Sequence, residues 1–350
     1  MRLAFAVDFL LERTHEVFLL ELLLAGFPDA EIYTLAHAPG KILGRIETHR
    51  ITSTPLSKMV ASSADLPARA WMLPTLVRQL KVSPEIDKLI VLSSGWAHLI
   101  GSHPRTERFV WAFDFDPPAL RLKGWKRVFQ GYHRELKLRA LRSEQNLALA
   151  SQGLAQLVGR SEKLIAPALK TEEYPLVPDE QHPGLYPYHL VLLTNAPEGR
   201  IRELVRIARA QKTPLRFVGR DEAYADLKAL NDPELEFIGD HCAATTAALT
   251  HQARAVWSLA LAVFPADALG ALCCGRPVVV PELAHYREVL PAEGVWYDTG
   301  DLAELFVRVN RDYLSPDKKL LRRAGLRYNE RLFKNQLRIW ANIKPTKAED

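Results

Sequence analysis

Cysteine is scarce in this chain: there are three among 350 residues, Cys242, Cys273 and Cys274. An odd count with two adjacent positions gives no disulfide framework. No Cys-x-x-Cys pair marks a metal site, so a reducing cytoplasm fits best. No uncharged apolar run is long enough to cross a bilayer. The N-terminus lacks the pattern of a signal peptide, because Asp8 interrupts the first apolar stretch and Glu12, Arg13 and Glu16 follow it. Histidines and acids do not cluster at ligand spacing, so no metal is expected. Short repeats, heptads and low-complexity tracts are missing as well.

What is present is ordinary globular composition, 48% hydrophobic and 25% charged. A length of 350 residues exceeds what one core supports, so two domains are expected. The 46 basic and 41 acidic residues leave a net charge of +5. This mild excess fits a basic soluble protein. It also suits attraction of anions such as nucleotide sugars, phospholipid headgroups or nucleic acid. No nucleic-acid recognition motif supports the last of these, so nucleic acid is not an expected partner.

Along the chain, short apolar runs alternate with amphipathic stretches. Strands are predicted at Leu3–Val7, Glu31–Leu35, Lys88–Leu92, Arg108–Phe115, Asn146–Ala150 and Lys163–Ala166, with helices at His15–Ala25, Gly124–Arg142 and Gly153–Val158. Five prolines fall in Pro167–Pro187, as in an interdomain linker. A second series then begins. Its strands are predicted at His189–Leu193, Leu215–Val218, Leu235–Ile238, Val256–Leu261, Pro277–Val280 and Val295–Tyr297, its helices at Arg200–Gln211, Leu302–Tyr313 and Lys318–Trp340. Strand–helix–strand order is the mark of parallel sheets. The expected fold class is therefore α/β, with two Rossmann-like doubly wound parallel-sheet domains facing across a cleft. The expected boundaries are 1–166, a linker at 167–187, 188–325, and a C-terminal helix and tail at 326–350. Ligands of such sheets bind at the carboxyl ends of the strands, so loops at Asp8, Ser93, Asp114, Thr194, Gly219 and Gly239 should meet the ligand.

Several segments carry a resemblance: Phe27–Leu35, Ile51–Leu56, Ile90–Ser94 and Ala150-Ser151, then Phe217-Val-Gly219, Leu235–Gly239, Ala271–Val280 and Arg287-Glu288-Val289. In order and spacing they look like the mannosyltransferase-like branch of the family 4 glycosyltransferases, of GT-B type, which act in O-antigen and exopolysaccharide assembly. The resemblance covers most of the chain. It implies a UDP-, GDP- or dTDP-sugar as co-substrate, with no further cofactor. It also implies a saccharide or lipid-linked acceptor and a retaining, metal-independent transfer in cell-surface polysaccharide synthesis.

The sequence departs from that family at its working positions. Leu11–His15 replaces the usual Gly-Gly loop. Thr194 and Gly199 stand for an Arg and a Lys that hold the diphosphate. Ala262 and Gly270 stand for two Glu residues around donor sugar and ribose. Asp114–Pro117 replaces a His, and Ile100 a Lys.

A diphosphate leaving group gathers negative charge, so cations or backbone N–H groups must face it. Arg200, at a helix start beside the vacated Lys position, Arg220 and Gly219 are the candidates for donor binding, with Glu288 matching a family acid. Solvated surface arginines, an Arg220 ion pair with Asp221 or Glu222, and a helix-start Glu288 are the alternatives. Asp114 and Asp116 form an acidic pair at a strand end, suited to act as base toward an acceptor hydroxyl; an Asp-Pro turn is the alternative. His15 and Ser94 are acceptor-side candidates. The predicted basic helix carries Trp125, Phe129 and Tyr132. It suits peripheral contact with the inner face of an anionic membrane, or packing of its aromatics on the domain core. The second functional reading is a catalytically silent protein of the same fold that binds a sugar, nucleotide or partner transferase.

Overall fold

A computed structural model describes residues 1–115, 129–160, 162–175, 187–194, 196–241, 243–262 and 264–344. The chain divides into two compact units, Met1–Pro167 with Arg331–Asp350, and Ala168–Glu330.

The first unit runs β1 (Leu3–Leu10), α1 (His15–Leu24), β2 (Glu31–His37), β3 (Ile51–Ser53), α2 (Leu66–Arg69), α3 (Leu73–Gln79), β4 (Lys88–Ser93), β5 (Glu107–Ala112), α4 (Gln130–Ser143), β6 (Leu147–Leu149), α5 (Gln152–Val158) and β7 (Lys163–Leu164). These strands form one parallel sheet in the order β3-β2-β1-β4-β5-β6-β7. Chain order reverses between β1 and β4, and such a switch point opens a crevice outside the strand ends. The strands read as unbroken apolar runs because both sheet faces are covered. Ala4 and Ala6 enter the core with α2, α3, α4 and α5. The alternate residue Phe5 lies against Phe27, ring centroids 6.1 Å apart. Thr14 caps α1 by accepting Val17 N–H at 3.3 Å, and Ser151 caps α5 by accepting Leu154 N–H at 3.2 Å.

The second unit runs β8 (Tyr188–Leu192), α6 (Glu198–Ala210), β9 (Leu215–Val218), α7 (Ala225–Lys228), β10 (Leu235–Gly239), α8 (Ala243–Gln252), β11 (Ala253–Ser258), α9 (Ala266–Cys273), β12 (Val278–Pro281), α10 (Ala284–Val289), β13 (Val295–Asp298), α11 (Leu302–Asp312) and α12 (Lys318–Leu326). Its parallel order β10-β9-β8-β11-β12-β13 puts the switch point between β8 and β11. Along β8, Leu190 and Leu192 join one core cluster while Val191 joins the other, so successive residues serve opposite faces.

Three elements differ from expectation. β1 does not stop at Val7: Asp8 lies inside the strand, fully buried, because backbone N–H groups satisfy its carboxylate. β11 ends at Ser258, and Leu259–Ala262 form a loop beyond it. The predicted helix Lys318–Trp340 is two helices, α12 and α13 (Glu330–Trp340), broken where Asn329 Nδ2 donates to Leu326 O at 2.8 Å. α13 returns to the first unit. There Phe333 packs on Trp111 at 5.0 Å, Trp340 meets Phe109 edge-on at 5.3 Å, and Lys88 Nζ donates to Ala341 O at 2.8 Å. Positions 116–128, including the expected start of the basic helix, lie outside the described residues, as do 176–186 of the Pro-rich stretch.

Candidate functional site

At the switch point of the first sheet, three polar side chains converge. Asp8, on β1, accepts Ser94 N–H at 2.7 Å and Ala97 N–H at 3.1 Å, and also accepts Trp96 N–H. It thereby fixes the loop after β4. Glu16, in the first turn of α1, accepts Asp8 N–H at 2.9 Å. Ser94 Oγ stands 3.2 Å from Asp8 Oδ2 and 2.9 Å from Glu16 Oε2. A hydroxyl carries one proton. If Ser94 donates to Asp8, Glu16 must be the donor in the other bond, and so must hold a proton. Electrostatics agrees: burial, then the charges of Asp8 and Asp114, push the Glu16 carboxyl well above its ordinary pKa. Burial also raises Asp8, against the lowering effect of its N–H bonds. The arrangement is a short relay, Glu16 to Ser94 to Asp8, with the carboxylate end pinned by backbone.

Beneath it, Ser93 Oγ lies 2.8 Å from His98 Nδ1, and His98 Nε2 donates to Lys137 O at 3.2 Å. Burial and the nearby Arg108 and Lys137 charges lower the His98 pKa to about 3, which keeps the ring neutral. Lys137 Nζ donates to Phe115 O at 2.7 Å and sits over that residue's ring at 4.5 Å. This network holds the strand-end loops that carry the candidates.

Of those candidates, Ser94 belongs to the relay, and Asp114 lies near enough for its charge to act on Glu16. The Asp114 carboxylate accepts Phe115 N–H. Asp116 lies outside the described residues. His15 opens α1, and burial lowers its pKa to about 4, so it is neutral at pH 7. The sequence pointed to Asp8 only as a strand-end loop expected to meet the ligand, and to neither Glu16 nor Lys137 as a site residue. The available signal for Asp8 was a lone acid at the end of an apolar strand.

In the second unit Arg200 occupies the first turn of α6. Its Nε donates to Asp298 Oδ2 at 3.0 Å and its Nη1 to Glu203 Oε2 at 2.7 Å, with Nη2 on Asp298 Oδ1. The guanidinium is thus engaged within the unit, tying α6 to the end of β13. Gly219 has φ +121° and a Cβ there would stand 3.1 Å from Leu193 Cβ, so only glycine lets the β9 loop approach β8 this closely. Arg220 follows it, exposed. Glu288 is exposed at the end of α10, not at a helix start, so the macrodipole does not favour it. Gly270, in α9, is overlaid by Tyr174: a Cβ would fall 2.6 Å from the ring. The volume a Glu would need there is filled. Burial lifts the Cys273 and Cys274 thiols to about 11 and about 12, which leaves them unreactive.

No protein-family model matches the sequence, and no curated protein matches it significantly. Solved structures do. Anabaena HepE in complex with UDP shares 14% identity, with a TM-score of 0.67 over 96% of this chain and 98% of that one. Sucrose-phosphate synthase from Thermosynechococcus elongatus shares 13% identity at a TM-score of 0.67, over 96% and 97%. AviGT4, a glycosyltransferase involved in avilamycin A biosynthesis, shares 15% at 0.56, over 97% of each chain. Two doubly wound parallel sheets and likeness along the whole chain give this protein the two-unit α/β fold of the GT-B glycosyltransferases.

Proposed function

We propose that this protein transfers a sugar from a nucleotide-sugar donor to a saccharide or lipid-linked saccharide. The observation that carries the reading is full-length likeness to HepE, solved with UDP and with UDP-glucose. A UDP-sugar is therefore the first donor to test, ahead of GDP- and dTDP-sugars. We place the chain nearest the mannosyltransferase-like branch of family 4, as a retaining transferase needing no metal, in cell-surface polysaccharide synthesis. It would work in the cytoplasm, in peripheral contact with the membrane's inner face. Among the described residues no helix is long and apolar enough to cross a membrane.

In this reading Asp114 and Asp116 serve the acceptor hydroxyl, with Ser94 and His15 beside them. Gly219, Arg220, Arg200 and Glu288 serve the donor. Gly219 lets backbone come close to phosphate, and the start of α6 offers N–H groups to developing charge. The second reading, a silent binding protein, draws on two observations: Tyr174 fills the space beside Gly270, and Asp298 and Glu203 hold Arg200.

Thermal-shift titration separates the two. A surviving donor site binds UDP-, GDP- or dTDP-sugar and raises the melting temperature, by about 2.7 kcal/mol of added stability at a hundredfold excess over Kd. Hydrolysis or transfer by the stabilised protein supports the enzyme; stabilisation without turnover supports the silent form. No shift with any nucleotide sugar overturns donor binding. Arg200→Ala should weaken the shift, and an unchanged titration removes Arg200 from the site.

A further inference from the structure

The last helix of the second unit, α12, separates its cations by task. Arg322 is spent inside the unit, donating to Tyr174 O at 3.0 Å and to Cys273 O at 2.7 Å. Lys319, Arg323 and Arg327 stand four residues apart, so they form one stripe along the helix, and all three are exposed. None of the three has an ion pair or side-chain hydrogen bond among the described residues. The two acids at this edge are occupied by backbone: Glu293 accepts Asp317 N–H at 3.1 Å, and Asp317 caps α12 by accepting Lys319 N–H at 2.8 Å. On α6, by contrast, Arg200, Arg202 and Arg209 each pair with an acid.

The stripe does not serve the helix. Lys318–Leu326 holds four cations and no acid. A cation in the first turn opposes the macrodipole, and like charges one turn apart repel. Apolar surface lies alongside. A groove of about 360 Å³ is lined by Pro291, Ala292, Leu321 and Ala324, with Arg323 and Arg327 also on its wall. Leu320 on the helix and Leu314 in the turn before it are exposed. Unpaired cations beside exposed leucines match a surface with anionic headgroups over hydrocarbon. A nucleic-acid backbone would leave the leucines without a partner. The basic helix that the sequence singles out, α4, commits more of its charge internally: Arg139 pairs with Glu135 at 2.8 Å, Arg142 Nε donates to Val158 O at 2.9 Å, and Lys137 is buried on Phe115 O.

We propose that the exposed face of α12 docks on an anionic phospholipid bilayer, with Lys319, Arg323 and Arg327 at the lipid phosphates and Leu320 at the boundary with the acyl chains. This gives a surface to the membrane contact of the proposed function, and so rests on that part of it. The contact is mainly electrostatic, because α12 turns Leu321, Ala324 and Gly325 into the unit and leaves few apolar side chains to insert. Salt should therefore weaken it.

The test is co-sedimentation of the full chain with lipid vesicles, with neither donor nor acceptor present. The wild type should bind vesicles of phosphatidylcholine and phosphatidylglycerol in equal parts, ignore phosphatidylcholine alone, and be released by high salt. Each cation at an anionic bilayer is worth about fivefold, so Lys319→Gln, Arg323→Gln and Arg327→Gln together should weaken binding on the order of a hundredfold. Arg323→Lys with Arg327→Lys should retain it, since charge and not shape is required. Leu320→Gln should weaken it by a smaller factor. The substituted side chains are exposed, so every variant should melt with the wild type, which separates lost binding from misfolding. A triple variant that binds as the wild type does overturns the inference. If Arg134→Gln with Arg139→Gln then releases the protein, the contact belongs to α4 and the proposed membrane contact stands. A wild type that ignores anionic vesicles overturns both contacts and leaves sugar transfer, read by donor titration, untouched. Binding to duplex DNA as strong as to vesicles, with Leu320→Gln without effect, would mark a general polyanion surface and overturn lipid docking.

Discussion

At the scale of single residues, the first unit buries two acids side by side, Asp8 and Glu16. Glu16 accepts Asp8 N–H and pairs with Ser94 Oγ, and burial, then the Asp8 charge, pushes its carboxyl well above the ordinary range. Its folded pKa lies above the unfolded value of 4.5. The folded state therefore holds the proton more tightly, and its contribution to stability is lost as pH rises from 4.5 through the folded value, by about 1.4 kcal/mol per pH unit of that window. Glu16→Gln keeps an acceptor for Asp8 N–H and a donor for Ser94. It should remove this decline, so that urea denaturation at pH 5 and pH 8 shows a smaller loss in the variant. The neutral histidines His15, His98 and His189 act in the opposite direction at low pH, being lowered by burial. They are common to both proteins and cancel in the comparison. An equal loss in both would show that Glu16 is ionised in the fold. Sequence could not reveal this relay, because its members lie far apart in the chain and only the pairing of β1 with β4 brings them together.

At the scale of elements, the helix pair α9 and α12 shows how one residue sets a spacing. A Cβ at Gly325 would stand 2.4 Å from Cys273 Sγ and 2.9 Å from Leu269 O, so the helices meet backbone to side chain with no room for a methyl group. Gly325→Ala should destabilise the second unit by about 1–3 kcal/mol despite alanine's better helix propensity. Chemical denaturation gives the number, and a stabilised variant would mean that the helices part easily. The strands were legible in advance because parallel strands buried on both faces are plain apolar runs between turn signals. The ends were less so. Asp8 reads as a loop residue until its N–H partners are seen. The break at Arg327–Asn329 is invisible in a sequence whose apolar spacing continues through it. Of the two readings of Glu288, donor-site acid and helix-start acid, the second fails because the residue stands near the end of α10. Arg200 was legible as a helix-start cation, but not the Asp298 that grips it from 98 positions away.

At the scale of the whole molecule, the chain crosses between its units twice, at Pro167–Ala168 and Glu330–Arg331. Just inside the second unit the crossing segments pair, Leu169 N–H donating to Tyr328 O. The first unit is incomplete without α13, which covers Phe109 and Trp111 and receives Lys88 at its C-terminal carbonyls. Deleting Arg331–Asp350 should cost about 3–5 kcal/mol through exposure of those aromatics. The unfolding of the first unit, followed by hydrogen exchange in β5, should become easier while that of the second unit is unchanged; unaltered protection in β5 would mean that α13 contributes no packing.

The order in which residues leave a ribosome gives that returning helix a further meaning. When the first 167 residues have emerged, their sheet still lacks a cover that follows the second unit in the chain. The middle stretch, Ala168–Glu330, is continuous and is finished earlier. Synthesis thus completes the second unit before the first, and a nascent chain halted before Arg331 would leave bare the aromatic face around Trp111, a natural handle for chaperones.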